Sequence, residues 1–185
     1  LRDHDRIYAR IRSVTIGHAH NDDPACIAQA AAERAEIPGR TIGLIEADGT
    51  GIAAQEAREL GVVQKLWGEH RPGAPLVGIG SVKGNIGHTL RASMAAGVVK
   101  AALALYHKVL PPQMAPERAA ETLSHLGSSA YLLNEERPWI TGDSSSPRRA
   151  AVFGANFDSF APRSDEPQAG RGAVIILEEE PEDRT

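Results

Sequence analysis

The chain has 185 residues, 42% of them hydrophobic and 24% charged, which is enough for one globular domain with a sizeable core. Its formal net charge is −4 and no basic cluster interrupts the sequence, so nucleic acid and anionic membranes are disfavoured as partners. No apolar run approaches the length of a membrane span, no signal-peptide pattern is visible, and a single cysteine excludes an internal disulfide. These features predict a soluble protein of the reducing cytoplasm.

Strands and helices are predicted to alternate from the first residues onward. Residues 6–16 alternate loosely between apolar and polar, which predicts one strand or two. His18 and His20 follow as a His-x-His pair, but no third ligand stands at a recognisable spacing, so a solvated turn is favoured over a metal site. Aspartate before Pro24 predicts the start of an Ala-rich helix that runs to Ile37.

The only cysteine, Cys26, falls in this first helix. A thiol nucleophile needs a base and an electropositive pocket, whereas free cysteines are commonly small buried hydrophobes. Cys26 is therefore interpreted as structural.

A second strand is predicted at residues 41–45, and a helix at residues 53–67. Between them lies a polar turn that contains Asp48, Gly49 and Thr50. From residue type alone, Asp48 would cap a turn beside the glycine.

The most informative stretch is residues 78–107, which joins a strand, a glycine-rich loop and a long apolar helix. An apolar run at residues 76–79 predicts a buried strand, and apolar residues at helical spacing from Leu90 to Leu105 predict a buried central helix. The loop between these elements carries four polar side chains: Ser81, Lys83, Asn85 and His88.

Polar groups held between a buried strand and a buried helix are suited to stabilising a developing negative charge. Capping or solvation is the competing interpretation for one histidine and one lysine in a loop. Nucleotide binding is disfavoured, because the glycines miss the GxGxxG spacing by one residue and Lys83 is followed by Gly84, where a P-loop needs Ser or Thr.

The remaining elements complete an α/β pattern with a mixed sheet and helices on both faces. A short helix is predicted at residues 116–126, an extended segment at 131–133, strands at 150–153 and 173–177, and a polar insertion at 162–172. The predicted division is a domain at residues 1–177 and a solvated acidic tail at residues 178–185.

The sequence GSVKGNIGHTLRASMAAGVVKAALAL, with the VLPP run at residues 109–112, resembles the second-histidine motif of the ketosynthases. These are the condensing enzymes of polyketide and fatty acid synthesis. The resemblance implies the C-terminal half of a thiolase-like fold. It also implies that His88 is the second catalytic histidine, that Lys83 supports the site, and that Thr50 and Asn85 contact the substrate.

The sequence EADGTGI at residues 46–52 resembles the first-histidine motif, His-Gly-Thr-Gly-Thr after a strand, but Asp48 occupies the histidine's place. Losing one preorganised oxyanion donor typically costs roughly a hundred to a thousandfold in rate. An ionised carboxylate about 4 Å from an enolate oxygen would add repulsion on the order of 4 kcal/mol. Only a protonated Asp48 would still donate a hydrogen bond. Loss of decarboxylative condensation is the favoured interpretation.

The resemblance also implies that the nucleophile is not in this chain. A ketosynthase cysteine lies on a sharp turn far upstream of the first-histidine motif, whereas Cys26 precedes Asp48 by only 22 residues. We therefore expect the N-terminal half of a ketosynthase to be absent from these residues.

Three functions remain compatible with these features. The first is a non-elongating ketosynthase-like subunit or fragment that binds or transfers acyl groups, acting as an acyltransferase only when a partner half completes it. The second is half of an active condensing enzyme or acyltransferase whose nucleophilic cysteine is on another chain. The third is a catalytically silent structural or interaction module. The first and third are favoured together over the second.

The expected partners follow from the same resemblance. The acyl chain would arrive on the phosphopantetheine arm of an acyl carrier protein, and no cofactor or metal is expected in the chain itself. The helix that ends near Leu105 is rich in Ala, Val and Gly, and a large bare apolar patch usually marks an interface. We therefore expect association with a complementary N-terminal half or with a second copy.

Overall fold

The structure is a computed structural model that describes residues 5–18, 25–67, 76–114, 130–142, 146–156 and 171–181. Two single turns of 3₁₀ helix lie at Gly39–Thr41 and Leu90–Ala92. The other elements are β1 (Arg10–His18), α1 (Ala25–Arg34), β2 (Leu44–Glu46), α2 (Ala53–Trp67), β3 (Val77–Gly80), α3 (Lys83–Ile86), α4 (Ser93–His107), β4 (Val109–Leu110), β5 (Ala130–Leu132), β6 (Arg137–Pro138), β7 (Arg149–Asn156) and β8 (Arg171–Glu178).

Six of the strands form one mixed sheet in the order β1-β8-β7-β2-β3-β5. Strand β8 runs antiparallel to both of its neighbours, whereas β2 is parallel to β7 and β3, and β3 is parallel to β5. Leu44 of β2 pairs with Gly78 on one side and with Ala150 on the other. The short strands β4 and β6 form a separate antiparallel pair.

Helices cover both faces of this sheet. Because successive residues of a strand point to opposite faces, neighbouring residues of β2 enter different cores. Ile45 packs in the core that α1 and α2 complete with Ile27 and Val63. Leu44 packs in the core that α4 completes with Leu105. The sequence prediction of an α/β fold with a mixed sheet between helices is confirmed.

The buried face of α4 agrees only in part with the predicted one: Leu105 is buried as expected, and the other helical residues of the predicted face pack partly buried against the same core, namely Met94, Val98 and Ala102. Its buried residues are mostly small: Ser93, Gly97, Ala101, Ala104 and Leu105. A Cβ on Gly97 would lie 3.0 Å from Cγ of Glu46 and 3.2 Å from Cγ1 of Val152, so the helix lies too close to the sheet for larger side chains there. Leu90, predicted on the buried face, lies before α4 in the 3₁₀ turn and is 69% exposed.

Several element boundaries are shifted from the sequence prediction, while α2 has the predicted bounds. Strand β1 begins at Arg10 and reaches His18 rather than spanning residues 6–16. Helix α1 ends at Arg34, and the backbone of Glu36 turns left-handed with a φ of 54°. Strand β2 begins at Leu44, because the 3₁₀ turn precedes it. The segment predicted as a plain loop contains the single helical turn α3.

The predicted acidic tail begins inside the sheet. Strand β8 includes Glu178, which is buried and whose carboxylate accepts hydrogen bonds from Arg12 and Arg149 at 2.6 and 2.7 Å. Glu179 pairs with Arg148 at 2.7 Å. Paired cations explain why these carboxylates are held against the fold rather than solvated.

Some sequence predictions fall outside the described residues. These are His20 and the side chain of His18, the helix at residues 116–126, and most of the polar insertion. Cys26 is partly buried and packs against the core beneath α1. In the part of the chain that the structure describes, no helix combines the length and apolar character that a membrane span requires.

Candidate functional site

Two charged side chains meet where the parallel strands β2 and β3 end. Asp48 follows β2, and Lys83 begins α3 just after β3. Because the carboxyl ends of adjacent parallel strands lie at one edge of a sheet, the two residues face each other across neighbouring loops. Lys83 Nζ lies 2.5 Å from Asp48 Oδ1, and only 7% and 12% of the two side chains are exposed. The site therefore contains a nearly buried ion pair.

The turn that carries Asp48 is fixed from below by Glu59 of α2. The two carboxylate oxygens of Glu59 accept hydrogen bonds from the backbone N–H groups of Asp48 and Gly49 at 2.6 and 3.0 Å. Gly49 adopts a left-handed φ of 52°, and a Cβ there would lie 2.7 Å from Oγ of Ser81. Glycine thus allows both the turn and its close approach to the next loop.

Burial raises the pKa of Glu59 to about 7. The two backbone N–H groups oppose this shift because they stabilise the charged carboxylate, while the negative charge of Asp48 adds to it. Glu59 therefore changes its protonation near neutral pH while it holds the turn that positions Asp48.

A second ion pair supports the loop that carries Lys83. Glu46, at the end of β2, accepts a hydrogen bond from the backbone N–H of Val82, and its other oxygen lies 2.8 Å from Lys100 Nζ on α4. The Glu46 carboxylate and the Lys100 ammonium group are in contact, but their geometry does not form a well-aligned hydrogen bond. Burial raises the pKa of Glu46, although the positive charge of Lys100 opposes the shift. A Cβ on Gly80 would lie 3.1 Å from Lys100 Nζ, so the absence of a side chain at this position leaves room for the lysine ammonium group.

The imidazole of His88 is oriented by the start of the central helix. Its Nδ1 accepts a hydrogen bond from the backbone N–H of Leu90 at 2.9 Å, and Oγ of Ser93 lies 3.3 Å from the same nitrogen. Since Nδ1 acts as an acceptor, the proton of the neutral ring is on Nε2. His88 is exposed and offers that N–H as a hydrogen-bond donor.

A cavity of about 530 Å³ opens beside these residues, a size typical of small-molecule sites. Apolar side chains line it at Leu60, Ile79, Met114 and Leu132, and the polar residues of its wall include Glu56, Glu59, Ser81, Lys83 and His88. Asp48 is not in this lining; it lines a much smaller cavity on the α4 side, together with Lys83 and Ser93. Lys83 is thus shared by both cavities.

The structure brings some of the predicted site residues together and leaves one apart. Lys83, His88 and Thr50 line the larger cavity, and Asp48 contacts Lys83 from the other side. Oγ1 of Thr50 accepts a hydrogen bond from the backbone N–H of Ile52 at 3.3 Å. Asn85 is exposed and outside the described lining, and its side chain donates to the carbonyl of Pro112 at 3.3 Å. Its predicted contact with substrate stays a prediction.

Sequence reasoning missed the residues that support this site. Oε1 of Gln113 accepts a hydrogen bond from the Ser81 backbone at 2.6 Å, and Glu46, Ser93 and Lys100 act as described above. One signal was available, since Lys100 is the only Lys, Arg, Asp or Glu in the sequence of α4. A charge in an otherwise apolar helix that packs on a sheet calls for a buried partner.

Comparison with known proteins agrees with this architecture. Residues 9–116 match the family model of the beta-ketoacyl synthase C-terminal domain. A mycocerosic acid synthase-like polyketide synthase of Mycobacterium tuberculosis is 33% identical over 187 residues, which cover 94% of this chain. The chain belongs to the beta-ketoacyl synthase family.

Other polyketide synthases are similarly related to this ketosynthase domain. The polyketide synthase GfsE of Streptomyces halstedii is 34% identical over 194 residues, which cover 97% of this chain. The chain spans only 9% of the length of the M. tuberculosis protein and 5% of that of GfsE. The family resemblance predicted from residues 78–112 is confirmed.

Solved ketosynthase structures share the fold. The oxazolomycin ketosynthase domain OzmH KS7 of Streptomyces albus JA3453 superposes with a TM-score of 0.81 at 26% identity, covering 100% of this chain and 33% of that one. The ketosynthase from module 6 of the bacillaene synthase of Bacillus subtilis 168 gives a TM-score of 0.77 at 29% identity, with 97% and 32% covered. The chain thus corresponds to the C-terminal part of a thiolase-like ketosynthase fold and covers about a third of it.

Proposed function

We propose that this ketosynthase C-terminal domain serves polyketide or fatty acid biosynthesis without elongating the chain, by binding or transferring acyl groups that an acyl carrier protein presents. The ion pair between Lys83 and Asp48 carries the proposal. By match to the motif, Asp48 stands where a ketosynthase has its first catalytic histidine. A group expected to donate a hydrogen bond is therefore replaced by a carboxylate paired with the supporting lysine.

The chemistry of condensation explains why this replacement matters. Decarboxylation of a malonyl-type extender produces an enolate, whose oxygen must be stabilised by donors aimed at it. A carboxylate held in an ion pair offers only acceptor oxygens. Asp48 would therefore offer the enolate oxygen no hydrogen-bond donor, and Lys83 already has a carboxylate at 2.5 Å. His88 alone remains as an oriented donor of the two expected.

The features that acyl binding needs are retained. The cavity of about 530 Å³ has apolar walls at Leu60, Ile79 and Leu132. Thr50 and His88 stand on its polar side. These features support binding of an acyl group even where condensation is lost.

An exposed apolar surface supports a partner that completes the fold. On α4, Val99 and Leu103 are 58% and 41% exposed, and Tyr106 is exposed beside them. The hydroxyl of Ser13 on β1 donates a hydrogen bond to the carbonyl of Ala31, so Ser13 points to the α1 side of the sheet. Ile16 lies three positions further along the strand and therefore points to the opposite side, where α4 packs; it is 77% exposed. Large exposed apolar patches usually mark interfaces.

We propose that the complementary N-terminal part of a ketosynthase, on the same or another polypeptide, covers this surface and supplies the nucleophilic cysteine. The alternative is that a second copy of the chain covers the exposed apolar surface. The ketosynthase structures that match this chain are about three times its length, which supports the first assignment.

A catalytically silent interaction module is the second candidate function. The observation in its favour is that the polar groups of the site are already paired with each other. Lys83 forms an ion pair with Asp48, and Glu59 accepts a hydrogen bond from the Asp48 backbone N–H. In this case the apolar surface, and not the cavity, would be the functional part.

Native mass spectrometry followed by acyl loading tests the proposal. The complex is purified under native conditions, every polypeptide in it is identified by intact mass, and it is incubated with a carrier protein bearing a labelled acyl group. Where the N-terminal part is a separate polypeptide, Leu103→Glu should break the association, whereas Gln64→Glu, on the exposed side of α2, serves as the control for an added charge. An acylated cysteine in the completed complex supports the proposal. A single unlabelled, monomeric chain would contradict acyl transfer and the proposed partner alike.

A further inference from the structure

We propose that Asp48 makes the site selective for uncharged acyl groups because its carboxylate is paired with the Lys83 ammonium group. Ligands with a free carboxylate, such as malonyl groups, then find no cation to bind among the described residues of the site and are rejected. The inference rests on the proposed function for its acyl ligand. Its charge argument concerns only residues of this chain and can be tested separately.

Lys83 is the residue through which a carboxylated ligand would be held. Among the described residues that line the larger cavity, it is the only lysine or arginine. A carboxylate entering the cavity would therefore depend on its ammonium group for charge compensation. That group already lies 2.5 Å from Asp48 Oδ1, on the side away from the cavity.

Among the described residues, the other acidic or basic side chains of the cavity wall, apart from His88, are carboxyl groups. Glu56 and Glu59 both line it, and their carboxylates accept hydrogen bonds from the backbone of the turn at residues 48–51. With Lys83 neutralised by Asp48, a ligand carboxylate in the cavity would face Glu56, and Glu59 where that group is ionised, and no other Lys or Arg of the described lining would compensate its charge. Like charges in a partly buried site repel each other strongly.

The backbone on both sides of the ion pair is held in place. The backbone of Asp48 is held by Glu59 at its N–H and by Oγ of Ser81 at its carbonyl, the latter at 3.4 Å. The loop before Lys83 is held by Glu46, which accepts from the Val82 N–H. Turning Lys83 toward a ligand would leave the Asp48 carboxylate nearly buried and unpaired, which is costly.

An uncharged acyl group meets none of this opposition. Its chain would contact the apolar wall at Leu60 and Leu132, and its thioester oxygen would find a donor in Nε2 of His88. The cavity therefore favours the neutral member of a pair of acyl groups that differ only by a carboxylate.

Titration with two matched probes tests this selectivity. The probes are the N-acetylcysteamine thioesters of propionate and of malonate, and binding is followed by NMR shifts of the Gly49 and Gly84 amides. The unmodified chain should prefer the propionyl probe. Asp48→Asn, which removes the charge and keeps the shape, should strengthen malonyl binding by about tenfold or more with little effect on propionyl binding. Adding Lys83→Met to it should abolish the gain.

Glu136→Gln is the matched control, because Glu136 is exposed and lies outside the cavity lining. This substitution changes the net charge by the same amount as Asp48→Asn. An equal gain in this control, no gain in Asp48→Asn, or a gain that survives loss of Lys83 would each overturn the inference. Failure of the unmodified chain to bind the propionyl probe would instead count against the proposed acyl function.

A measurement on the unmodified chain covers the case in which Asp48→Asn does not fold. The Nζ resonance of Lys83 should stay unmoved when malonate is added, since Asp48 already holds the ammonium group. A saturable shift of that resonance with malonate would show that Lys83 is available to a carboxylated ligand and would overturn the inference.

Discussion

Lys100 of α4 reaches Glu46 at the end of β2, with 2.8 Å between its Nζ and Oε2 of the carboxylate. The other oxygen of Glu46 accepts from Val82, the residue before Lys83. The central helix is therefore linked through one buried carboxylate to the loop that carries the candidate site. This link ties the stability of the fold to the geometry of the site.

We expect Lys100→Met to destabilise the protein by about 3–5 kcal/mol, because the Glu46 side chain, 2% exposed, would lose its charge partner. Urea unfolding measures the change. Glu135→Gln is the control: this carboxylate is 68% exposed in its pair with Arg137, and its loss should cost less than about 1 kcal/mol. Similar costs for both variants would contradict the assignment of a buried, structural pair.

Two helical glycines should respond to alanine in opposite ways. Gly61→Ala, on α2 with no atom within 4 Å of the added Cβ, should stabilise the protein by about 0.5–1 kcal/mol through helix propensity. Gly97→Ala should destabilise it instead, because the Cβ would lie 3.0 Å from Glu46 and push α4 from the sheet. Thermal unfolding compares the two. A stabilised Gly97→Ala variant would show that α4 does not pack as closely as the structure has it.

Glu59 should make stability depend on pH in the neutral range. Its pKa is raised from 4.5 to about 7 in the folded protein, so between these values the folded state holds a proton that the unfolded state has released. The Glu59 contribution to the free energy of unfolding is therefore fully present below about pH 4.5, falls as pH rises to about 7, and is then constant. The total fall is about 3 kcal/mol.

Comparison with Glu59→Gln isolates this effect. We expect the difference in unfolding free energy between the unmodified chain and this variant to decrease between pH 5 and pH 8, as measured by urea unfolding. A difference that stays constant, or that grows with pH, would contradict the raised pKa of Glu59.

Glu178 should have the opposite pH dependence. Although burial opposes its ionisation, the hydrogen bonds and charges of Arg149 and Arg12 hold its pKa below the usual 4.5. Its stabilising contribution is therefore present above about pH 4.5 and is lost as pH falls through the lower folded value. Glu178→Gln should lower the melting temperature at pH 7 and reduce the loss on acidification. An unchanged acid transition in this variant would contradict the role of the arginine pair.

Much of the fold was predictable because its signals are local. The bounds of α2 follow from apolar periodicity, and the glycine-bounded run at β3 indicates a buried strand. The bounds of β2 were missed because the 3₁₀ turn at Gly39–Thr41 takes residues that a propensity argument assigns to the strand. Leu105 was predicted on the buried face of α4, but Gly97 and Ala101 were not, because apolar periodicity is followed through the larger residues.

The candidate site was predictable in its residues but not in its connections. Motif resemblance identified Asp48 and Lys83 separately, and nothing in the sequence states that they lie 2.5 Å apart. The contacts of Glu46 with Val82 and Lys100 join elements far apart in the chain, so they depend on the register of the sheet and the position of α4. Such long-range pairings are set by packing rather than by local pattern.

A condensation assay shows whether this site elongates an acyl chain. The natively purified complex is given one carrier protein loaded with a labelled acyl group and another loaded with malonate, and the acyl species on each protein are identified by mass spectrometry. We expect acyl groups bound to or exchanged with the complex and no product lengthened by two carbons. A β-ketoacyl product formed by the unmodified complex would show that a site with Asp48 paired to Lys83 can elongate, and would contradict the proposed non-elongating function.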